Sequence, residues 1–198
     1  MRNEVSLSHS LIHRSQKHPY DQSLRPSMHR PATRISQFFD KLLAPIFLKV
    51  ARKTTYINGY DLIRALEKYA SEGRLLPTTL FVTFDVTDLY TMIPRQGALE
   101  ALMRFLEKHA YHGKIGTLTI NHIMRMARLV LDTNYFAYKD KYYLQIRGGA
   151  MGSAFTMTLA NIYMLEWEQS LVEHQQAYDE RYGRSVMAFS KKENFIFE

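Results

Sequence analysis

Asp85 closes a run that reads as a β-strand, Thr79 to Thr87 (TLFVTFDVT). Leu80, Val82, Phe84 and Val86 alternate onto one face, and Phe81, Thr83, Asp85 and Thr87 onto the other. A carboxylate at the end of an apolar strand is costly to place unless water, a cation or a hydrogen bond meets it. Asp85 is therefore either a cation ligand or an acid that ends the strand on a nearby backbone N–H. A second region with chemical potential is the small-residue loop Arg147 to Ser153 (RGGAMGS). Its Gly148, Gly149 and Gly152 let a backbone approach a ligand closely and adopt positive φ. A helix starting there offers free N–H groups to a base, sugar or phosphate. It is not a Walker loop, because no Gly-Lys-Ser/Thr follows, and its glycine spacing does not match a dinucleotide fingerprint. The competing reading is a tight turn between a hairpin and a helix.

The elements that must position these residues follow from periodicity and capping. Residues 1–33 hold Pro19, Pro26 and Pro31 and no sustained period, which predicts loop or extended chain. A helix fits about 34–50 through Ile35, Phe38, Phe39, Leu42 and Leu43, with Pro45 expected to kink or end it. A second fits 59–70, capped by Asn58, with Leu62, Ile63, Leu66 and Tyr69 inward. Ala98, Leu99, Leu102, Met103 and Leu106 predict a helix over about 95–109, and Thr119 caps another running to about Leu131. Residues 134–146 read as a hairpin turning at Lys139-Asp140, followed by a helix over about 154–176. Helices and a few strands without a regular βαβ rhythm predict an α+β fold.

The composition narrows the partners. The chain has 198 residues, 46% of them hydrophobic, enough for one domain with a real core. No stretch approaches the ~18 apolar residues of a membrane helix, and the polar Met1–Ser6 segment does not read as a signal peptide. With no cysteine, disulfides and thiolate metal sites are excluded. His9, His13 and His18 are spaced too irregularly for zinc ligands. Residues 1–53 carry ten Lys and Arg against three acids, so the whole formal charge of +7 sits in the first quarter. Clustered positive charge of this kind suits phosphates through counterion release, or simply solubilises the segment. No localisation signal stands out, and the compartment stays open.

Residues 145–164 (QIRGGAMGSAFTMTLANIYM) resemble the loop-plus-helix motif of reverse transcriptases. In particular they are similar to that of the Penelope-like retroelement enzymes, which runs Gln-x-x-Gly-x-Ala-Met-Gly-Ser and then Leu-Ala-Asn. Residues 84–94 (FDVTDLYTMIP) resemble the same family's first catalytic motif, and Arg25-Pro26 with the helix after it resembles its fingers motif. The matches fall in family order over about residues 24–184. The resemblance implies a helix-rich, partial fingers-and-palm polymerase core with a short antiparallel sheet, and RNA-directed DNA polymerase chemistry on an RNA or DNA template-primer and dNTP. It implies Asp85 as a ligand of catalytic Mg²⁺, assisted by the Val86 carbonyl, and Tyr90 as the gate beneath the incoming sugar. Met151 and Gly152 would lie along the nucleotide, and Arg25 would meet the triphosphate. Tyrosine rings would stack on bases.

Half of such a site is missing from this sequence. The family supplies further carboxylates from a later Tyr-x-Asp-Asp hairpin after an aromatic-Gly-Arg lead-in. Here Tyr182-Gly183-Arg184 is followed by Ser185 to Glu198 (SVMAFSKKENFIFE), with no Asp-Asp. The expected organisation is a basic leader over 1–33, a partial fingers/palm domain over 34–184 and a divergent tail over 185–198. Asp88 is expected to turn or cap the chain, Asp179 and Glu180 to be solvated, and Val186–Phe189 with Asn194–Phe197 to form a hairpin. Two hard cations need more than one carboxylate, so the chain is expected to be an inactive polymerase by itself. The competing expectations are a catalytically dead nucleic-acid-binding remnant and a non-functional truncated retroelement product.

Overall fold

The structure is a computed structural model that describes residues 25–26, 31–83, 85–86, 88–138, 141–150, 153–178 and 180–185. The chain runs β1 (Arg25–Pro26), α1 (Pro31–Ala51), a single 3-10 turn (Arg52–Thr54), β2 (Thr55–Tyr56) and α2 (Gly59–Ser71). There follow α3 (Leu89–Met92), α4 (Arg95–His109), β3 (Lys114–Ile115), β4 (Leu118–Thr119) and α5 (Ile120–Asp132). The described chain closes with β5 (Tyr135–Tyr138), β6 (Lys141–Leu144), α6 (Ala154–Trp167), α7 (Gln169–Ala177) and β7 (Arg184–Ser185). It is helix-rich α+β, as the sequence predicts.

Helix α6 is the centre of the core. Its Phe155, Thr156, Thr158, Leu159, Ala160 and Ile162 are buried, so it has no broad polar face. It packs between α1 and α4, with α5 against both α4 and α1. From α1 come Phe39, Leu43, Phe47 and Ala51, each one turn apart and all at most 2% exposed. The Phe39 and Phe155 rings meet at 5.0 Å. From α4 come Ala98, Leu99, Leu102 and Leu106; from α5, Ile123, Ala127 and Leu131. Burying a large aliphatic or aromatic side chain stabilises by about 1.5–3 kcal/mol, so this four-helix contact is the main source of stability.

Helix α1 covers the span expected of it, about 34–50, and three other expectations need correction. Helix α1 runs through Pro45 to Ala51, so of the two effects expected of the proline, a kink or an end, it does not end the helix. Proline removes one backbone donor, and the burial of Phe47 and Ala51 beyond it in the core outweighs that loss. Residues 79–83 form no strand, and Leu80, Phe81 and Val82 are 86%, 68% and 80% exposed. A strand needs a ladder partner for its N–H and C=O groups, and among the described residues that segment has none. On α2, Ile63 and Leu66 face outward rather than inward, because no described element covers them. The long last helix is interrupted at the buried Glu168, between α6 and α7.

The largest sheet lies instead around the hairpin. β5 pairs antiparallel with β6, Tyr135 opposite Leu144. On its other edge β5 takes β1, Arg25 opposite Ala137 and Pro26 opposite Phe136. Within the segment expected to be loop or extended chain, Arg25-Pro26 is thus an edge strand, and an edge is where a sheet tolerates a proline. Two smaller pairings complete the set: β3 with β4 antiparallel, and β2 with β7 parallel.

Candidate functional site

Helix α3 is a single turn that begins at Asp88, whose φ of 56° places it in the left-handed region. Asp88 turns the chain through its main chain: its carbonyl accepts from the N–H groups of Thr91 and Met92 and from the Thr91 hydroxyl. Its carboxylate makes no capping bond. The turn delivers Tyr90 to the edge of the core, where partial burial raises its phenol above the ordinary value.

The glycine loop closes onto this turn. The N–H of Gly149 donates to the Tyr90 carbonyl at 2.8 Å. Gly148 has φ of 56°, and a Cβ on it would lie 2.3 Å from the Tyr90 carbonyl oxygen and 2.5 Å from the Thr91 carbonyl carbon. A Cβ on Gly149 would lie 2.4 Å from the Thr156 hydroxyl oxygen on α6. Only glycines permit so close an approach of two backbones.

Two side chains hold the loop from outside. Arg95, the first residue of α4, donates from Nε to the Gly148 carbonyl at 2.8 Å and from Nη2 to the Gln145 carbonyl. Its Nη1 lies 3.9 Å from an Asp132 carboxylate oxygen. Gln145 donates its amide N–H groups to the carbonyls of Arg147 and Gly149, each at 2.9 Å, and accepts from the Asn134 amide at 3.0 Å. Behind the loop, the Ser153 hydroxyl caps α6 by accepting from the Thr156 N–H. The buried Ser36 of α1 lies 2.8 Å from Ser153, oxygen to oxygen, and accepts from the Phe155 N–H at 2.9 Å. The hairpin, α1, α3, α4 and α6 are thereby tied to one short loop.

Asp85 and Val86 precede this turn in irregular, exposed chain. Among the described residues no group of three or more His, Cys, Asp or Glu is close enough to hold a metal ion. A single exposed carboxylate fits one ligand of a hydrated Mg²⁺, but the described residues do not make a two-ion centre. Arg25 is placed by its backbone in β1, beside the hairpin that carries the loop. Met151 and Gly152 lie outside the described residues, as do Asp179 and the tail hairpin over Val186–Phe197. Glu180 is exposed, as expected.

No family model, curated protein or solved structure matches this chain.

Sequence reasoning missed Arg95 and Gln145 as loop anchors. Arg95 did leave a trace: it opens a helix, where the macrodipole disfavours a cation, so a tertiary partner was called for. Also missed was the pairing of Glu168 with Arg184, whose Nη1 lies 3.4 Å from the carboxylate and donates to the Asn161 carbonyl at 3.2 Å. The Arg184 guanidinium sits 4.8 Å from the centre of the Phe47 ring. Burial raises Glu168 and lowers Arg184 from their ordinary values, while each opposes the shift of the other. Tyr182 is raised by burial and by the nearby Glu168 carboxylate. This arrangement docks the Tyr182–Arg184 segment against α1 and β2. No described helix is long and apolar enough to cross a membrane.

Proposed function

We propose that this chain is a reverse-transcriptase-like domain that binds nucleic acid and does not polymerise by itself. The resemblance of residues 84–94 and 145–164 to the two central motifs of that family supplies the class. The observation that carries the reading is the backbone contact between those two segments, Gly149 N–H to Tyr90 carbonyl, which joins the segments the resemblance selects. A nucleotide held by such a domain would lie against the Tyr90 turn and the glycine loop, with Met151 and Gly152 alongside it and Arg25 toward its triphosphate. Asp85 and the Val86 carbonyl would contribute to holding Mg²⁺, which supplies charge neutralisation when bound. With one carboxylate and no Asp-Asp in the sequence, most transition-state charge stabilisation is lost, a deficit of several kcal/mol.

Primer extension on an RNA template with Mg²⁺ or Mn²⁺ tests the reading. The expected result is no extension above an Asp85→Asn control, together with salt-sensitive retention of the template-primer. Robust synthesis that depends on Asp85 refutes the inactivity, and absence of any nucleic-acid binding refutes the class.

A second reading, an incomplete fold without selected function, is favoured by the exposure of Leu76, Leu80, Phe81 and Val82. It predicts a broad, non-cooperative melt and strong binding of a hydrophobic dye. A single cooperative transition removes it.

A further inference from the structure

A concave, basic cleft lies apart from the Tyr90 turn and the glycine loop. It has a volume of about 640 Å³ and runs between the 3-10 turn with α2 on one wall and α7 with the Glu180–Tyr182 segment on the other. Arg52, Lys53, Arg64 and Lys68 line the first wall, and Arg181 the second. The acids in the lining are Asp61 and Glu180, and Asp61 is already engaged. It pairs with Arg52 at 3.1 Å and accepts from the Ile57 N–H at 3.0 Å, which holds its carboxyl below the ordinary range. Lys68 and Arg181 share Glu72 at 3.8 and 3.7 Å. Arg64 and Lys53 have no carboxylate at ion-pair distance among the described residues, although Arg64 is close enough to Asp61 to help lower its carboxyl.

Arg64 and Lys68 are one turn apart on α2, so two cations are stacked on the same face. Like charges in that relation cost an isolated helix a few tenths of a kcal/mol, a cost that an anion between them reverses. Thr54, Gln175 and Gln176 bring hydroxyl and amide groups to the lining, and the Gln175 side-chain oxygen is buried without a partner among the described residues. Hydroxyls, amides and cations are the groups that bind phosphate and sugar oxygens without reading sequence. The apolar part of the lining is Ala65, Val172 and the rings of Tyr56 and Tyr182, and aromatic rings beside cations suit the bases and backbone of a single strand. The volume is that of a site for a small ligand, so it takes a few nucleotides of one strand and not a duplex.

We infer that this cleft holds the phosphodiester backbone of single-stranded RNA or DNA, as a second contact outside the Tyr90 region. The inference rests on the nucleic-acid-binding reading above and deepens it. Arg64, Lys68 and Arg181 carry the electrostatic part of binding, and Gln175, Gln176 and Thr54 orient the strand.

The test is fluorescence anisotropy of a labelled single-stranded RNA of about 16 nucleotides, titrated with the intact chain between about 50 and 200 mM salt. Arg64→Gln/Lys68→Gln should weaken binding about tenfold and lower the log–log salt slope by about 1.4, at about 0.7 per lost phosphate contact. Arg125→Gln/Arg128→Gln, which removes two exposed cations of α5 that do not line the cleft, should leave both unchanged. Arg181→Gln repeats the test from the opposite wall if the α2 variant melts early. A cleft variant that binds like wild type, with salt-sensitive wild-type binding intact, overturns the cleft and leaves the nucleic-acid reading standing. Wild type that does not bind the strand overturns both. Polyglutamate competing as well as RNA, charge for charge, overturns the nucleic-acid assignment in favour of an acidic protein partner.

Discussion

Gly149 donates its backbone N–H to the Tyr90 carbonyl at 2.8 Å, and this one bond joins the two segments with most chemical potential. It exists because Gly148, beside it, has no side chain. At φ of 56° a Cβ would meet the Tyr90 and Thr91 main chain at 2.3–2.5 Å. Backbone cannot swing aside as a flexible side chain would. Gly148→Ala should therefore cost about 1–3 kcal/mol for the overpacking plus about 1–2 kcal/mol for the left-handed conformation. Gly73→Ala, also left-handed (φ 72°) but in open space, should cost only the conformational part. Urea melts of the two variants check the contrast; equal costs refute the close approach.

Arg95 predicts a local effect rather than a global one. It donates to the Gly148 and Gln145 carbonyls, and its burial lowers it below the ordinary arginine value. Replacing it with lysine keeps the charge and loses the planar fork that reaches both carbonyls. Arg95→Lys should cost about 1–3 kcal/mol. It should also speed amide exchange at Gly149 far more than at Leu102 in the core of α4. Uniform acceleration at both positions would mean that the arginine supports α4 and not the loop.

Much of this arrangement was legible in the sequence. Asn58 and Thr119 accept from the N–H groups of Asp61 and His122, as their residue types and positions predict. α4 matches its apolar spacing end to end, and β5 pairs antiparallel with β6 as expected, while Lys139-Asp140, where the turn was expected, lie outside the described residues. Such features depend on a few neighbouring residues. Leu80 to Val82 failed because alternation predicts a strand only if a partner strand exists, and that lies elsewhere in the chain. The continuation through Pro45 depended on what Phe47 and Ala51 would pack against. For the site, the glycine loop and Tyr90 were each singled out, but their contact is tertiary. The roles of Arg95, Gln145, Glu168 and Arg184 depend on partners far away in sequence, and no local period marks them.

Ser36 carries two partners from α6 inside the core. Its hydroxyl oxygen accepts from the Phe155 N–H and meets the Ser153 hydroxyl, and the residue is 4% exposed. Ser36→Ala leaves a buried donor unmet and should cost about 1–3 kcal/mol. Ser153→Ala removes a cap, worth about 1 kcal/mol. The residues touch, so the double variant should cost less than the sum of the singles. Additive losses in a double-mutant cycle refute the shared bond.

Glu168 and Arg184 predict the pH dependence of stability. Their side chains are 4% and 9% exposed, Nη2 has no partner among the described residues, and beside Arg184 the Tyr182 hydroxyl also steadies the Glu168 charge. Burial is the leading influence on Glu168 and raises it, so the folded state holds that proton more tightly than the unfolded chain does. The sign follows from linkage. A raised carboxyl contributes stability that is fully present below its unfolded value, about 4.3, and is lost as pH rises through the folded value. Glutamine at this position does not titrate. The stability difference between wild type and Glu168→Gln should therefore move in favour of wild type as pH falls from neutrality toward about 4. A difference that moves the other way means that the Arg184 charge outweighs burial. Arg184→Met separates the two effects. It strands a buried carboxyl and should cost about 3–5 kcal/mol at neutral pH, less in acid, where Glu168 takes up a proton. Glu168→Gln/Arg184→Met should recover much of that loss, because the pair offsets its own desolvation and little more. Thermal melts from about pH 4 to 8 on wild type and the three variants decide the matter.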